Sequence, residues 1–173
     1  QTIFKEWFGK YQIGDELPEG WRVGKVEELT VKMNSGGTPS TKKEEYYGGD
    51  VKWYSTKELK DSFLFNSDKS ISKLGLENSS AKLFPKQTVV MAIYAAPTVG
   101  RLGILTDKAC FNQAAVGLLA KKEIGHEFIF SLLKFFRKEL NNLANGAAQQ
   151  NLNVGIVKNF EIVIPSIKKL DLF

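Results

Sequence analysis

A glycine-rich stretch around residue 40 carries the residue types best suited to binding chemistry. Gly36–Ser40 reads Gly-Gly-Thr-Pro-Ser, and Lys42, Lys43, Tyr46 and Tyr47 follow it closely. Glycine permits backbone angles that bulkier residues avoid, so the stretch predicts a shaped loop. Lysine ammonium groups bind phosphates, while hydroxyl and aromatic side chains contact sugars or base edges. The pattern fits a nucleic-acid-binding loop, and it also fits a surface hairpin loop whose aromatic side chains only cover the core.

Three residues further along have the types found in a metal-dependent nuclease centre. The carboxylates of Asp50 and Glu58 would hold Mg²⁺, and Lys60 would steady the attacking water. Ser55–Glu58 is also a capping box, which predicts a short helix up to about Asp61 and gives Glu58 a structural role. We favour the capping role because Asp50 lies close in sequence to Glu58 for such a site, and Glu-x-Lys is a common pattern in a lysine-rich chain.

Other catalytic constellations are missing from the sequence. It contains neither a Gly-x-Gly-x-x-Gly segment nor a Walker-type phosphate-binding loop. His126 is the only histidine and starts a predicted helix, which favours a cap or surface residue over a general base. Cys110 is the only cysteine, so an intramolecular disulfide and a cysteine-built zinc site are excluded. It lies in an apolar strand, which predicts a buried, inert thiol and fits a reducing, cytoplasmic setting.

Side-chain amides interrupt the apolar pattern at two places. Asn112 and Gln113 lie within an otherwise apolar strand region, and the segment 149–151 (Gln-Gln-Asn) follows a long predicted helix. Amides contact adenine in the major groove, and Arg101 has the donors to contact guanine. Amides also satisfy buried backbone groups where strands meet loops. We favour this structural role for Asn112 and Gln113, and both roles remain open for residues 149–151.

The elements that must position these groups are mostly short strands. Val31 and Met33 alternate with polar residues and predict a strand that leads into the glycine-rich loop. Further apolar and β-branched runs predict strands at Val51–Ser55, Val89–Ala95, Val99–Leu105, Cys110–Leu119 and Phe160–Ile164, the second and third of which form a pair. The order of elements shows no βαβ alternation. It predicts an α+β fold with a mixed, mostly antiparallel sheet of short strands, one long helix and several short ones.

Two helices stand out by their apolar periodicity. The long one is predicted over Glu127–Ala144, and its apolar stripe comprises Phe128, Leu132, Phe135, Phe136, Leu140 and Leu143. The other is a short N-terminal helix whose aromatic face comprises Phe4, Trp7 and Phe8. An aromatic face of this kind must be covered. It packs either on the core of the chain itself or against a partner helix, as the end of a longer interaction helix.

Composition permits a polyanionic partner without requiring one. The chain has 173 residues, enough for one domain with a sizeable core, and a net charge of +5. Its basic residues are dispersed, and it has no dense basic arm. The N-terminal residues lack a signal-peptide core. The longest apolar run, Val89–Pro97, is too short to span a bilayer.

A series of short segments occurs in order along most of the chain. The series comprises Leu17–Trp21, Gly36–Ser40, Tyr47–Trp53, Ile71 with Gly75-Leu76, Ser79–Leu83, Thr98–Gly100, Asn112–Ala114, Gly146–Leu152 and Ile164-Pro165. This order resembles a target recognition domain of the DNA specificity subunit of type I restriction-modification systems. The resemblance divides the chain into the end of a spacer helix (1–16), a recognition domain (17–166) and the start of a C-terminal spacer segment (167–173).

The resemblance implies a function in DNA recognition without catalysis. In this family each recognition domain reads one half of a split double-stranded DNA target. The subunit docks methyltransferase subunits that use S-adenosylmethionine, and motor-nuclease subunits driven by ATP cut unmodified DNA. These cofactors and Mg²⁺ are therefore expected on partner subunits only. A cytoplasmic location is implied as well.

The resemblance also frames which residues we expect to contact DNA. Base-contacting residues vary with the target in this family, so the motif glycines and Pro39 are interpreted as scaffold and Trp53 as core. The lysines would position the domain on phosphates, and Arg101 or the amides would read bases. The predicted contacts are Thr38, Ser40, Lys42, Lys43, Tyr46, Tyr47, Lys52, Lys57, Tyr94, Arg101, Gln149 and Asn151. Phe4, Trp7 and Phe8 are predicted to pack against a partner helix.

Overall fold

Residues 2–94, 97–145 and 151–173 are described by a computed structural model. Ten strands occur in this part of the chain: β1 (Arg22–Lys25), β2 (Thr30–Ser35), β3 (Tyr47–Tyr54), β4 (Ser62–Leu64), β5 (Lys69–Ile71), β6 (Val89–Ala92), β7 (Leu102–Leu105), β8 (Cys110–Phe111), β9 (Ala115–Ala120) and β10 (Glu161–Ile164). The α-helices described are α1 (Thr2–Trp7), α2 (Lys73–Glu77), α3 (His126–Phe135), α4 (Arg137–Asn145), α5 (Val154–Asn159) and α6 (Ile167–Leu170).

The strands form three sheets. The largest has the order β2-β9-β6-β7-β4, the second β5-β3-β8, and the third consists of β1 and β10. The β4–β7 and β3–β8 pairs are parallel, and the other five pairs are antiparallel. The predicted α+β class with mostly antiparallel short strands is confirmed.

An apolar core covers each face of the five-stranded sheet. Along β6, Val89 and Met91 belong to one cluster of buried residues, and Val90 and Ala92 belong to another. Successive side chains of a strand point to opposite faces, so this central strand is buried on both sides. Helices α1, α3 and α5 contribute to the first core. Both sides of the sheet are thereby fixed, which holds the loops at its ends in place.

The prediction of a single long helix over Glu127–Ala144 is wrong. The structure has two helices, α3 and α4, separated at Phe136, whose ψ of 13° lies outside the helical range. Phe128 and Leu140 are buried as the apolar stripe predicts, whereas Leu143 is 51% exposed. Beyond Phe136, Leu140 still belongs to the buried cluster that contains Phe128, whereas Leu143 does not.

Three of the predicted strand regions are shortened or split. The predicted pair is confirmed as β6 and β7, but β6 ends at Ala92 and β7 begins at Leu102. The predicted strand Cys110–Leu119 is split at Asn112–Ala114, because β8 pairs with β3 in one sheet while β9 pairs with β2 and β6 in another. Both differences leave polar loop residues at one end of the large sheet.

The aromatic face of α1 packs on the core of this chain. Phe4 is 2% exposed and Phe8 is 5% exposed, and both rings lie against Phe128 with centroids 5.5 and 5.1 Å away. Trp7 is partly buried against the same cluster. Packing on the chain's own core is thus the interpretation that holds for Phe4 and Phe8. In the described ranges, no helix is both long and apolar enough to cross a membrane.

Candidate nucleic-acid interface

All five strands of the large sheet have one terminus at the same end of that sheet. β2 ends there at Ser35 and β6 at Ala92, whereas β9 begins there at Ala115, β7 at Leu102 and β4 at Ser62. Loops that join these strand ends carry polar side chains from distant parts of the sequence. Four of these side chains, which we call the strand-end surface, belong to Thr38, Tyr94, Arg101 and Gln113.

The glycine-rich loop that follows β2 is a rigid scaffold. The backbone N–H of Gly37 donates to the carbonyl of Phe111 at 2.9 Å, and Nε1 of Trp53 donates to the Gly37 carbonyl at 2.9 Å. A Cβ added to Gly36 would lie 2.1 Å from the Phe111 oxygen, and one added to Gly37 would lie 2.2 Å from the Ser80 oxygen. Only glycine permits such close backbone approach, so the loop depends on these two residues.

Thr38 and Gln113 come together at the strand-end surface although they are 75 residues apart. The Thr38 hydroxyl donates to Oε1 of Gln113, and the Gln113 side chain is exposed. An amide whose oxygen is occupied still has two N–H donors to offer. Next in the loop, the Tyr47 hydroxyl donates to the Pro39 carbonyl at 2.7 Å, and burial raises the pKa of Tyr47. The Tyr47 hydroxyl thus stabilises the loop internally.

Tyr94 and Arg101 flank the connection between β6 and β7. The Tyr94 N–H donates to the Ala114 carbonyl at 3.2 Å, which places Tyr94 beside the loop that carries Gln113. The Arg101 carbonyl accepts from Ala92 N–H at 2.9 Å, so Arg101 lies at the same end of the sheet. Tyr94 is 38% exposed and Arg101 is half-buried. Both can therefore present side chains to a partner.

An ion pair between Asp61 and Arg137 stabilises this end of the sheet. Arg137 donates to the two carboxylate oxygens of Asp61 at 2.5 and 2.9 Å, and Oδ1 of Asp61 also accepts from Leu102 N–H at 3.0 Å. Burial opposes ionisation of Asp61, but the hydrogen bonds from Arg137 and Leu102 outweigh it and lower the pKa of the carboxyl. The pair connects α4 to the residue next to Arg101.

The predicted phosphate-binding lysines differ in how they are held. Lys42 and Lys57 are exposed, and Lys57 lies in the short 3-10 helix that follows β3. Nζ of Lys43 donates to the Tyr46 hydroxyl at 3.0 Å, a hydrogen bond that raises the pKa of Lys43. An ammonium group has three donors, so Lys43 keeps two for another partner. Ser40, in the same loop, is also exposed.

Three predicted DNA contacts lie elsewhere. Tyr46 is 6% exposed, so the structure corrects its assignment: the ring is part of the core and its hydroxyl supports Lys43. Nζ of Lys52 donates to the Phe65 carbonyl at 2.8 Å beyond the opposite end of β4, away from the strand-end surface, and its contact with DNA stays a prediction. Asn151 is half-buried beside buried Leu152. Gln149 lies outside the described residues.

The sequence interpretation missed or misjudged several members of this region. Asp61 and Arg137 received no role, because an ion pair across 76 residues leaves no local pattern. Gln113 was expected to satisfy backbone groups, but it bonds the Thr38 side chain instead. Oδ1 of Asn112 is buried without a hydrogen-bond partner in the described part of the chain. The interruption of an apolar strand by two amides was the available signal.

Comparison with known proteins decides the family. A family model described as "Type I restriction modification DNA specificity domain" matches residues 18–170, most of the chain. The chain belongs to this family. Among curated relatives of this specificity domain, the type I restriction enzyme MjaIX specificity subunit of Methanocaldococcus jannaschii is 28% identical over 171 residues, covering 96% of the chain and 38% of the relative. The HindI specificity subunit of Haemophilus influenzae is 28% identical over 161 residues, covering 91% and 34%.

Solved structures share the fold of the specificity domain. The crystal structure of the HsdS subunit from Thermoanaerobacter tengcongensis matches with a TM-score of 0.76 at 16% identity, covering 99% of this chain and 39% of that one. A structure titled as the basis of complex assembly and conformational transition of the type I R-M system matches with a TM-score of 0.75 at 18% identity, covering 99% and 40%. The specificity domain thus spans about two fifths of these longer chains.

The nuclease interpretation receives no support in this specificity domain. Oε2 of Glu58 accepts from the Ser55 backbone N–H at 2.7 Å, as the capping box predicts, and Oε1 accepts from Asp68 N–H at 2.8 Å. The helix after this cap is a single 3-10 turn, shorter than predicted. Across the described ranges, no three His, Cys, Asp or Glu side chains cluster to hold a metal ion. Cys110 is fully buried, and burial raises its pKa to about 11.

Proposed function

We propose that this chain recognises one half of a bipartite double-stranded DNA target for a type I restriction-modification complex and catalyses no reaction itself. The observation that carries the proposal is the strand-end surface. There, four polar side chains from loops far apart in sequence converge on a braced scaffold, in a chain that belongs to the specificity family. Sites held by rigid elements suit recognition that depends on exact hydrogen-bond geometry.

Arg101 and Gln113 would contact the bases. A guanidinium group makes bidentate contacts to guanine, and a glutamine amide makes them to adenine. Thr38 orients the Gln113 amide by donating to its oxygen, so the N–H groups of Gln113 are directed to a base acceptor. Tyr94 supplies an exposed aromatic ring beside them. Together these side chains offer donors, an acceptor and an apolar surface.

The exposed lysines would contact the phosphates. Lys42 and Lys43 lie in the loop after Ser40, and Lys57 follows β3. Lysine contacts to phosphates carry no sequence information but fix the position of a protein on the duplex. The net charge of +5 adds a favourable long-range term. Affinity and specificity would thus come from different residues of the same region.

The complete protein would be longer than this chain and would act in a complex. The curated relatives are specificity subunits of which the chain covers 38% and 34%, and one matching structure is titled as a type I R-M assembly. Residues 1–16 and 167–173 would belong to spacer segments that dock methyltransferase subunits and, through them, motor-nuclease subunits. S-adenosylmethionine, ATP and Mg²⁺ would bind those cytoplasmic partners rather than this domain.

Selection of bound duplexes from a random DNA library, at moderate salt and without Mg²⁺, tests the proposal. Enrichment of one short motif is expected. Binding without any enriched motif would overturn sequence-specific recognition by this chain. Absence of salt-sensitive binding would overturn DNA binding and favour a module that binds only protein. Cleavage of DNA on adding Mg²⁺, abolished by Glu58→Ala, would instead favour a nuclease.

A further inference from the structure

An apolar groove lies along β10, where the strand passes the junction of α3 and α4. Its volume is about 490 Å³, and it is lined by the rings of Phe135, Phe136 and Phe160, by Glu139 and by the residues Glu161–Val163 of β10. Gly9, Tyr11, Gln12 and Ile13, from the segment that follows α1, line the groove as well. No residue of β1 lines the groove among those described. The groove also shares no residue with the strand-end surface or with the predicted DNA contacts.

The strand that borders the groove has an open edge. In the described part of the chain, β10 pairs with β1 alone. Val26 N–H donates to the Phe160 carbonyl, and Gly24 opposes Ile162 in the same register. Hydrogen-bonded residues alternate along an antiparallel strand, so Phe160 and Ile162 direct their backbone groups to β1. Glu161 and Val163 therefore direct theirs away from β1, toward the open edge.

No other described residue occupies those outward-facing groups. The backbone N–H and C=O of Glu161 and Val163 take part in no hydrogen bond outside the β1–β10 ladder. Unpaired backbone groups at a strand edge are a template for the addition of another strand. Here the template lies beside three phenylalanine rings, which can accept apolar side chains. An extended peptide would satisfy both features at once.

Charge indicates what kind of peptide fits. Glu139 and Glu161 are exposed, and neither forms an ion pair with another described residue. No lysine or arginine lines the groove in the ranges described. The acidic lining contrasts with the net charge of +5 of the whole chain. Such a groove disfavours DNA and favours a basic partner.

We propose that the β10 groove binds an extended segment of a partner protein in which apolar residues alternate with lysine or arginine. The segment adds as a strand to β10 and pairs with the backbone of Glu161 and Val163. Its apolar side chains point to the phenylalanine side, and its basic side chains lie beside Glu161 on the other face, since successive side chains alternate along a strand. This is a protein-binding surface separate from the DNA-binding one.

Peptides of defined sequence test this proposal on the full 173-residue chain. The probe is a fluorescent acetylated hexapeptide of alternating valine and lysine. One control has glutamate in place of lysine, and another has the lysine sequence with alternate backbone nitrogens methylated, which prevents strand pairing. Anisotropy gives the affinities, and ¹⁵N NMR gives the amide shifts. We expect the probe to bind with its largest shifts at Glu161 and Val163, and both controls to bind at least about tenfold more weakly.

A charge-reversed variant provides a second test. Glu139→Lys with Glu161→Lys changes two exposed side chains, and Glu77→Lys with Glu123→Lys, at two exposed sites that do not line the groove, is the control with the same change in net charge. The variant altered in the groove should prefer the glutamate peptide, while the control keeps the preference for lysine. Equal binding of the methylated and unmethylated probes would overturn the proposal. So would shifts that avoid β10, or an unchanged preference in the variant altered in the groove.

Discussion

Replacing Asp61 with asparagine tests how the strand-end surface is held in place. Asp61 accepts hydrogen bonds from Arg137 at 2.5 and 2.9 Å and from Leu102 N–H at 3.0 Å. Asparagine has nearly the same shape and tolerates the φ of 56° at this position. The substitution therefore removes the negative charge and one acceptor without straining the backbone. Arg137 is left with its charge unpaired.

The expected cost is about 2 kcal/mol in the free energy of unfolding at pH 7. Hydrogen bonds between charged groups contribute about 1.5–3 kcal/mol, and breaking a fully buried pair costs about 3–5 kcal/mol. The Arg137 and Asp61 side chains are 27% and 23% exposed, which places the cost below the fully buried range. For a domain of this length, 2 kcal/mol lowers Tm by roughly 4–8 °C.

The ion pair also predicts how the stability lost in Asp61→Asn changes with pH. The folded-state pKa of Asp61 is lowered, so its ionisation stabilises the fold above the unfolded-state pKa of about 3.9. This contribution is lost as pH falls through the folded-state pKa. The stability difference between the unaltered chain and Asp61→Asn should therefore be constant from pH 7 to about 5 and shrink below about 4.

Urea unfolding followed by tryptophan fluorescence at several pH values measures this difference. The matched control is Glu77→Gln, because the Lys73–Glu77 pair is exposed (85% and 58%) and its loss should cost less than about 0.5 kcal/mol. An Asp61→Asn variant that loses no more stability at pH 7 than Glu77→Gln would refute the bracing role. A difference that grows as pH falls would refute the reasoning about ionisation.

Three further predictions follow from the same contacts. Gly37→Ala should lower the free energy of unfolding by about 2 kcal/mol in urea denaturation, because the added Cβ would meet the Ser80 oxygen; unchanged stability would contradict the tight fit. Cys110 should react with a thiol reagent only as fast as the protein unfolds, since the thiol is buried with a pKa of about 11; rapid labelling at pH 8 would show it is accessible. Lys42→Ala with Lys43→Ala should weaken binding to all duplexes and reduce the log-log salt slope by about one unit per lost contact; an unchanged slope would exclude both lysines.

The fold was predictable where local pattern determines local structure. The apolar run at Val89–Ala92 forms a strand buried on both faces, and the aromatic spacing near Phe4 forms a helix, as expected. The break at Phe136 was not predictable, because the apolar spacing on its two sides still fits one helix. The split at Asn112–Ala114 depends on which sheet each half joins, and that choice rests on contacts far apart in sequence.

The candidate site was predictable in its scaffold but not in its members. Glycines at 36 and 37 indicate a close backbone approach, which the structure shows against Phe111 and Ser80. Tyr46 and Tyr47 are neighbours of the same type, and only the tertiary fold determines that Tyr46 is buried. Lys52 resembles any exposed lysine in sequence, yet its ammonium group donates to the carbonyl of Phe65, just after β4.

The central claim is that the strand-end surface reads DNA sequence, and duplex selection with an Arg101→Ala variant tests it most directly. The control is Lys122→Ala, which removes an exposed positive charge in the loop that follows β9, at the opposite end of the sheet from the strand-end surface. The account predicts that Arg101→Ala loses base preference at one position of the enriched motif and keeps the others, while Lys122→Ala enriches the unaltered motif. An Arg101→Ala variant that enriches the same motif with every preference intact would contradict it.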